Sequence, residues 1–163
     1  MRIYVTNLGK YNEGQLVREW LKLPCTDSQL QALLDRIGIG VEYEEYFITD
    51  YENEFNIRIG EYESFTELNK IAQSINSLND YEKKLLKAII ELESSDTSNI
   101  LPILEKKDEY FLHYDISTNF ELGHYYIHEV VGIDIKIFTE YFDYEAYGRD
   151  INLNSRGGFT SFG

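Results

Sequence analysis

His124 and His128 stand four residues apart, with Glu121 three before the first, inside a stretch whose apolar periodicity predicts a helix. Side chains at that spacing share one helix face, so a divalent metal could meet three ligands there. The pattern is not the His-Glu-x-x-His of zinc proteases, and a surface or a subunit contact uses such histidines as readily. A second metal-like spacing puts Asp50, Glu52, Glu54 and Glu61 at positions one, three, five and twelve of a calcium loop. Phe55 falls where that loop needs glycine for its bend, glutamates stand where Asp or Asn is preferred, and the flanks read as strands. The sequence predicts no metal site.

Catalytic arrangements are scarcer. A nucleophile elbow, a phosphate-binding glycine loop and a dinucleotide fingerprint are missing from the sequence. Carboxylate pairs are so abundant that none marks a glycosidase, whose cleft small modules rarely form. Cys25, the only cysteine, excludes an internal disulfide and a cysteine-based zinc site, and reads as a small semi-buried residue. His113 stands alone and reads as structural. Arg156-Gly157-Gly158-Phe159 resembles an RGG element, but one copy beside two glycines predicts a hairpin turn. These residues give catalysis little support, and none of them is singled out as catalytic.

Acid is what the chain has in excess. Its 163 residues carry 29 Asp and Glu against 15 Lys and Arg, a formal charge of −14. With 43% hydrophobic residues and 14 tyrosines the chain is no disordered acidic tail and should fold. Direct binding of nucleic acid is opposed by the charge. There is no apolar run of about 18 residues, and "MRIYVTNLGKYNEG" lacks a signal-peptide h-region, which predicts a cytoplasmic protein without membrane association. The stretch "VEYEEYFITDYENEFN", residues 41–56, holds six carboxylates, five aromatic rings and no base, and "EYFDYE" at Glu140 to Glu145 echoes it. Duplex DNA carries one charge per roughly 1.7 Å of axis, so this net charge equals that of about 24 Å of duplex. The excess is distributed: acids against bases number 11 to 6, 7 to 4 and 11 to 5 over residues 1–61, 62–103 and 104–163.

Those three segments are also the expected modules of an α+β chain: a mixed sheet with helices, a helical middle, and a mixed C-terminal module. In the first, "RIYVTNL" alternates as a strand and "EGQLVREWLKL" has helical spacing that Pro24 ends. "TDSQLQALLDRIG" starts on a Thr26–Gln29 capping box and closes at Gly38, and strands are expected over 41–50 and 56–62. In the second, Ser64 and Glu67 form a capping box before Phe65, Leu68, Ile71, Ala72 and Ile75. A helix from Asp80 turns Tyr81, Leu85, Leu86, Ile89 and Ile90 inward, and a short one begins at Asp96 or Thr97, with Pro102 tolerable only near its first turn. In the third, "YFLHYD" predicts a strand and "NFELGHYYIHEVVG" a helix, with Phe120, Tyr126 or Ile127, Val130 and Val131 inward. "INLNSRGGFTSF" predicts a hairpin turning at Gly157–Gly158. Modules of this size bury little core alone and must lean on one another.

Three blocks, "MRIYVTNLGKYNEGQLVREWLKLP", "EEYFITDYE" and "EYFDYEAYGRDI", resemble the ArdA antirestriction proteins of conjugative plasmids and transposons, and the likeness spans essentially the whole chain. The resemblance implies an elongated three-module protein whose acids imitate the phosphates of bent B-DNA. It implies a homodimer through the third module, neither a cofactor nor a reaction of its own, and a partner in the Type I restriction-modification enzyme. There the protein would fill the DNA groove formed by the specificity and methyltransferase subunits, blocking restriction and modification of incoming DNA. Candidate phosphate mimics are Glu42, Glu44, Glu45, Asp50, Glu52, Glu54, Glu61, Asp80, Glu91, Asp108, Glu109, Asp115, Glu140, Asp143 and Glu145. Candidate dimer contacts are Phe120, Tyr126, Val130, Val131 and Ile133, on the helix over 119–131 and just after it; three of them, Val130, Val131 and Ile133, serve equally as core. An acidic module that binds some other basic protein is the alternative.

Overall fold

Ile3 and Val5 alternate with Tyr4 and Thr6, and in a computed structural model describing residues 1–135 and 138–163 this pattern forms strand β1 (Arg2–Asn7). Both apolar side chains are fully buried, as the centre of a sheet requires. The sheet has three antiparallel strands in the order β2-β1-β3, with β2 at Arg18–Lys22 and β3 at Tyr46–Glu52. Ile3 faces Leu21 on one side and Tyr51 on the other, and the β1–β3 register shifts between Tyr4 and Val5. A short helix, α1 (Leu8–Asn12), joins β1 towards β2. Buried Asn7 accepts the Lys10 amide at 2.9 Å and donates to the Ile37 carbonyl at 3.0 Å, tying β1 to α1 and to the end of α2 (Asp27–Arg36).

Two expectations for this region fail for backbone reasons. "EGQLVREWLKL" is not a helix: its inward positions are Val17, Glu19, Leu21 and Leu23, a period of two. Glu19 hid that period, because its carboxylate is accommodated by Arg36 of α2, which donates two hydrogen bonds of 2.9 and 2.8 Å. Residues 56–62 alternate buried Ile57 and Ile59 with exposed neighbours but form no strand of the sheet. Their backbone bonds go elsewhere, Arg58 N to Ser95 O at 2.8 Å, while Glu61 O accepts from Ile48 N. β3 begins at Tyr46, so Glu42, Glu44 and Glu45 precede the strand. The capping box of α2 is present, and Gly38 follows it with φ +78°, a conformation suited to glycine.

Helices α3 (Phe65–Asn76), α4 (Asp80–Leu92) and α5 (Thr97–Glu105) follow. Phe65, Leu68, Ile71, Ala72 and Ile75 are buried as expected, and so are Leu85, Leu86, Ile89 and Ile90. Tyr81 instead lies on the surface, its hydroxyl accepting from the Leu112 amide at 3.4 Å. Ser64 sits at the N-cap of α3 without a capping hydrogen bond, whereas α4 has a full box from Asn79 and Glu82. Pro102 is past the first turn of α5, at a cost in one backbone hydrogen bond. One continuous apolar core runs from Ile3 to Ile103, with Tyr110 and Leu112 packed on it.

Beyond α5, the expected strand "YFLHYD" is irregular chain, and the expected hairpin at Gly157–Gly158 is replaced by helix α7 (Tyr144–Asn154) followed by an extended tail. The helix over 119–131 is present as α6 (Asn119–Tyr125) continued by a wider π-type turn over Tyr126–Val131. Its inward residues are Gly123 and Ile127; Phe120, Val130 and Val131 are about half exposed, correcting their expected burial. α6 and α7 cross at Gly123 and Gly148, where a methyl on either would run into the other helix's backbone.

Candidate functional site

The acids are placed by elements whose apolar faces point the other way. β3 buries Phe47 and Ile48, and its outer end carries Asp50 and Glu52 outward, two residues apart on one face. Those two residues therefore lie on a strand and not on a calcium loop. Phe55 and Ile57 turn inward, while Asn53 shapes the turn by accepting from the Phe55 and Ile57 amides at 3.1 and 2.9 Å. Tyr46 stacks on Phe65 at 4.8 Å, which anchors the strand from beneath. All of the candidate phosphate mimics are exposed.

Exposure does not make them equivalent. Arg2 donates two hydrogen bonds to Glu52, at 2.8 and 2.7 Å, and holds that carboxyl below its ordinary pKa. Glu54 pairs with Lys87 at 3.7 Å and Asp108 with Lys107 at 3.6 Å. Glu91 accepts the Ser161 amide and hydroxyl at 3.1 and 2.8 Å, binding the tail to α4. Asp143 caps α7 by accepting the Ala146 amide, Glu145 accepts from Asn119, and Asp50 accepts from Tyr51 N. The side chains of Glu42, Glu44, Glu45, Glu61, Asp80, Glu109, Asp115 and Glu140 make no hydrogen bond or ion pair among the described residues. They run from the first segment to the last.

Sequence reasoning passed over Glu67 and Glu105, which are exposed and likewise without such a partner among the described residues. The signal was available, since both fall on the solvent side of amphipathic helices α3 and α5.

The histidine face is occupied by internal contacts. The His124 and His128 rings lie 4.3 Å apart, and His128 Nε2 and the buried Tyr144 hydroxyl share a 2.8 Å hydrogen bond. Glu121 is used at the start of α6, accepting from Ser117 N at 2.8 Å and Thr118 N at 3.0 Å, which pulls its pKa down. Among the described residues no group of three metal-binding side chains converges. Around the same helix the expected contact residues divide: Phe120, Val130, Val131 and Ile133 are open to solvent, and Tyr126 is half-buried.

Fold and surface together define a small α+β protein with carboxylates exposed along the whole chain, and no described helix is long and apolar enough to cross a membrane. None of the curated proteins matches it. The family model for antirestriction protein, ArdA, matches residues 3–163, and the chain belongs to that family. It is thus an antirestriction protein, and its family implies an interaction with restriction enzymes.

Proposed function

We propose that this protein is a DNA mimic that occupies the duplex-binding groove of a Type I restriction-modification enzyme, against its specificity and methyltransferase subunits, and blocks both restriction and modification. The observation that carries the reading is the set of eight exposed candidate carboxylates, Glu42, Glu44, Glu45, Glu61, Asp80, Glu109, Asp115 and Glu140, that have no counter-charge of their own among the described residues. A groove built for DNA is lined with Lys and Arg, so such a surface is steered to it and held by complementary charge. Acids already satisfied within the fold, chiefly Glu52, Glu54 and Glu91, offer less to that groove.

The protein works in the cytoplasm, where incoming DNA of a conjugative element meets restriction, and as a homodimer. Phe120, Val130, Val131 and Ile133 supply the contact; their half-exposure in a single chain supports this over their use as core. The units 1–61, 62–103 and 104–163 follow one another along an elongated dimer, with the first two sharing one apolar core. The test is a cleavage assay with purified Type I enzyme, unmodified duplex and increasing protein. Inhibition relieved by excess duplex supports the mimic, whereas inhibition indifferent to duplex points to an acidic module that binds the enzyme elsewhere.

A further inference from the structure

A cavity of about 360 Å³ lies between α4 and the last part of the chain, well apart in character from the acidic surface. Its floor is Leu85, Ala88, Ile89 and Leu92, one face of α4, and its far side includes Leu122 of α6 and Ile151 of α7. A strap, residues 156–163, lines one side of it. Gly158 lets the strap approach so near that a methyl there would sit 3.0 Å from the Leu92 side chain. The Glu91 carboxylate latches the strap by accepting from Ser161 N and Oγ. The volume is at the lower end of the roughly 300–1,000 Å³ of small-molecule pockets, which are apolar with a few polar groups that fix orientation.

Among the described residues, Arg156 is the only Lys or Arg in the wall. Its guanidinium makes no hydrogen bond or ion pair among them, although acids outnumber bases 29 to 15 in this chain. Glu93, the only carboxylate of that wall among the described residues, receives the Tyr110 hydroxyl at 2.9 Å. An unpaired guanidinium beside an apolar chamber matches a ligand with one anionic head and an apolar tail, because Arg binds carboxylate or sulfonate by a two-pronged contact. We propose that the cavity binds an amphiphilic monoanion, its tail along Leu85, Ala88, Ile89 and Leu92 and its head at Arg156.

Calorimetric titration of the full chain with decanoate, and with decanol as the neutral control, tests this. Decanoate should bind saturably at one site per chain and raise the melting temperature. Arg156→Gln should weaken decanoate about tenfold and leave decanol unchanged, as loss of a charge-assisted contact would. Ala88→Phe should abolish binding of both by filling the floor; because Arg156 is exposed, its variant remains decisive even if the filled one does not fold. Absence of saturable decanoate binding, equal affinity in Arg156→Gln, or equal losses for decanoate and decanol in that variant would overturn the proposal. Inhibition of a restriction enzyme is not the readout, so failure here leaves the mimic reading untouched.

Discussion

Arg2 grips Glu52 through two hydrogen bonds of 2.8 and 2.7 Å, reaching from β1 to β3 across fifty positions of sequence. The same guanidinium lies 4.4 Å from the centre of the Trp20 ring, which in turn stacks on Tyr4 at 4.6 Å. The stretch over residues 41–56 contains no base, yet the fold supplies it with two, Arg2 to Glu52 and Lys87 to Glu54. Among the described residues, the carboxylates of this stretch left without a base are Glu42, Glu44 and Glu45, ahead of β3, and Asp50, which accepts only the Tyr51 amide.

Releasing Glu52 should not weaken the protein's action. Arg2→Ala adds one unit of net negative charge and frees a carboxylate on the outer face of β3. Because both partners are exposed, the melting temperature should change little. Inhibition of a restriction enzyme should be equal to or stronger than that of the unaltered chain. A loss of inhibition with the fold intact would assign the Arg2–Glu52 pair itself a role in binding.

Distributed charge predicts graded loss. Glu42→Gln, Glu44→Gln or Glu61→Gln alone should weaken inhibition by less than about tenfold, as expected of exposed charges. Neutralising together Glu42, Glu44, Glu45, Glu61, Asp80, Glu109, Asp115 and Glu140 should weaken it by about a hundredfold or more. Inhibition constants for the series decide the matter, and a single substitution that abolishes inhibition without unfolding the chain would replace the distributed surface with a local hot spot.

Gly123 and Gly148 set how closely α6 and α7 approach. Gly148→Ala puts a methyl into the Asn119 carbonyl, and the helices must part to accept it. Overpacking of this kind costs about 1–3 kcal/mol. Thermal denaturation should show that loss, and the proposed dimer should shift towards monomer by light scattering, since α6, which must move, continues into the turn that carries Val130 and Val131. An unchanged melting temperature would mean that the crossing is looser than described.

Glu19 and Arg36 give a pH dependence of known sign. The two hydrogen bonds from Arg36 hold the Glu19 carboxyl below its ordinary pKa. The folded chain then binds fewer protons there than the unfolded one, whose glutamates titrate near about 4.3. The pair's contribution is therefore present above that value and is lost as pH falls through the lower folded-state pKa. Arg36→Ala should be less stable than the parent at neutral pH, modestly because both groups remain partly open to solvent, and the gap should close on acidification. Denaturant titrations of both proteins from neutral to strongly acid pH measure it; a gap that widens in acid would contradict the assignment.

How far the sequence foretells the structure depends on how far apart the interacting residues are. β1, α2, α3 and α4 rest on local periodicity and caps, and they form where expected. β2 does not, because Leu16, Val17, Trp20, Leu21 and Leu23 satisfy a helical spacing while the strand's inward position at Glu19 looks polar until Arg36 is brought to it. α7 packs through Tyr144 and Gly148, an inward face with too little apolar character to be seen against the glycines that follow. Residues 110–115 look like a strand, but among the described residues they have no neighbouring strand to pair with. For the surface, exposure of the acids was legible; which of them a distant Arg, Lys or Ser would engage was not, as Arg2 and Glu52 or Glu91 and Ser161 illustrate.

Salt dependence tests the central claim most directly. The affinities of this protein and of duplex DNA for one Type I restriction enzyme would be measured from low to moderate salt. Under the proposed mimicry both place negative charge in one basic groove, so both should weaken as salt rises. The protein's slope should be the shallower, since its carboxylates are sparser than phosphates and release fewer condensed counterions. A slope equal to or steeper than that of DNA, or no salt dependence at all, would contradict DNA mimicry by this surface.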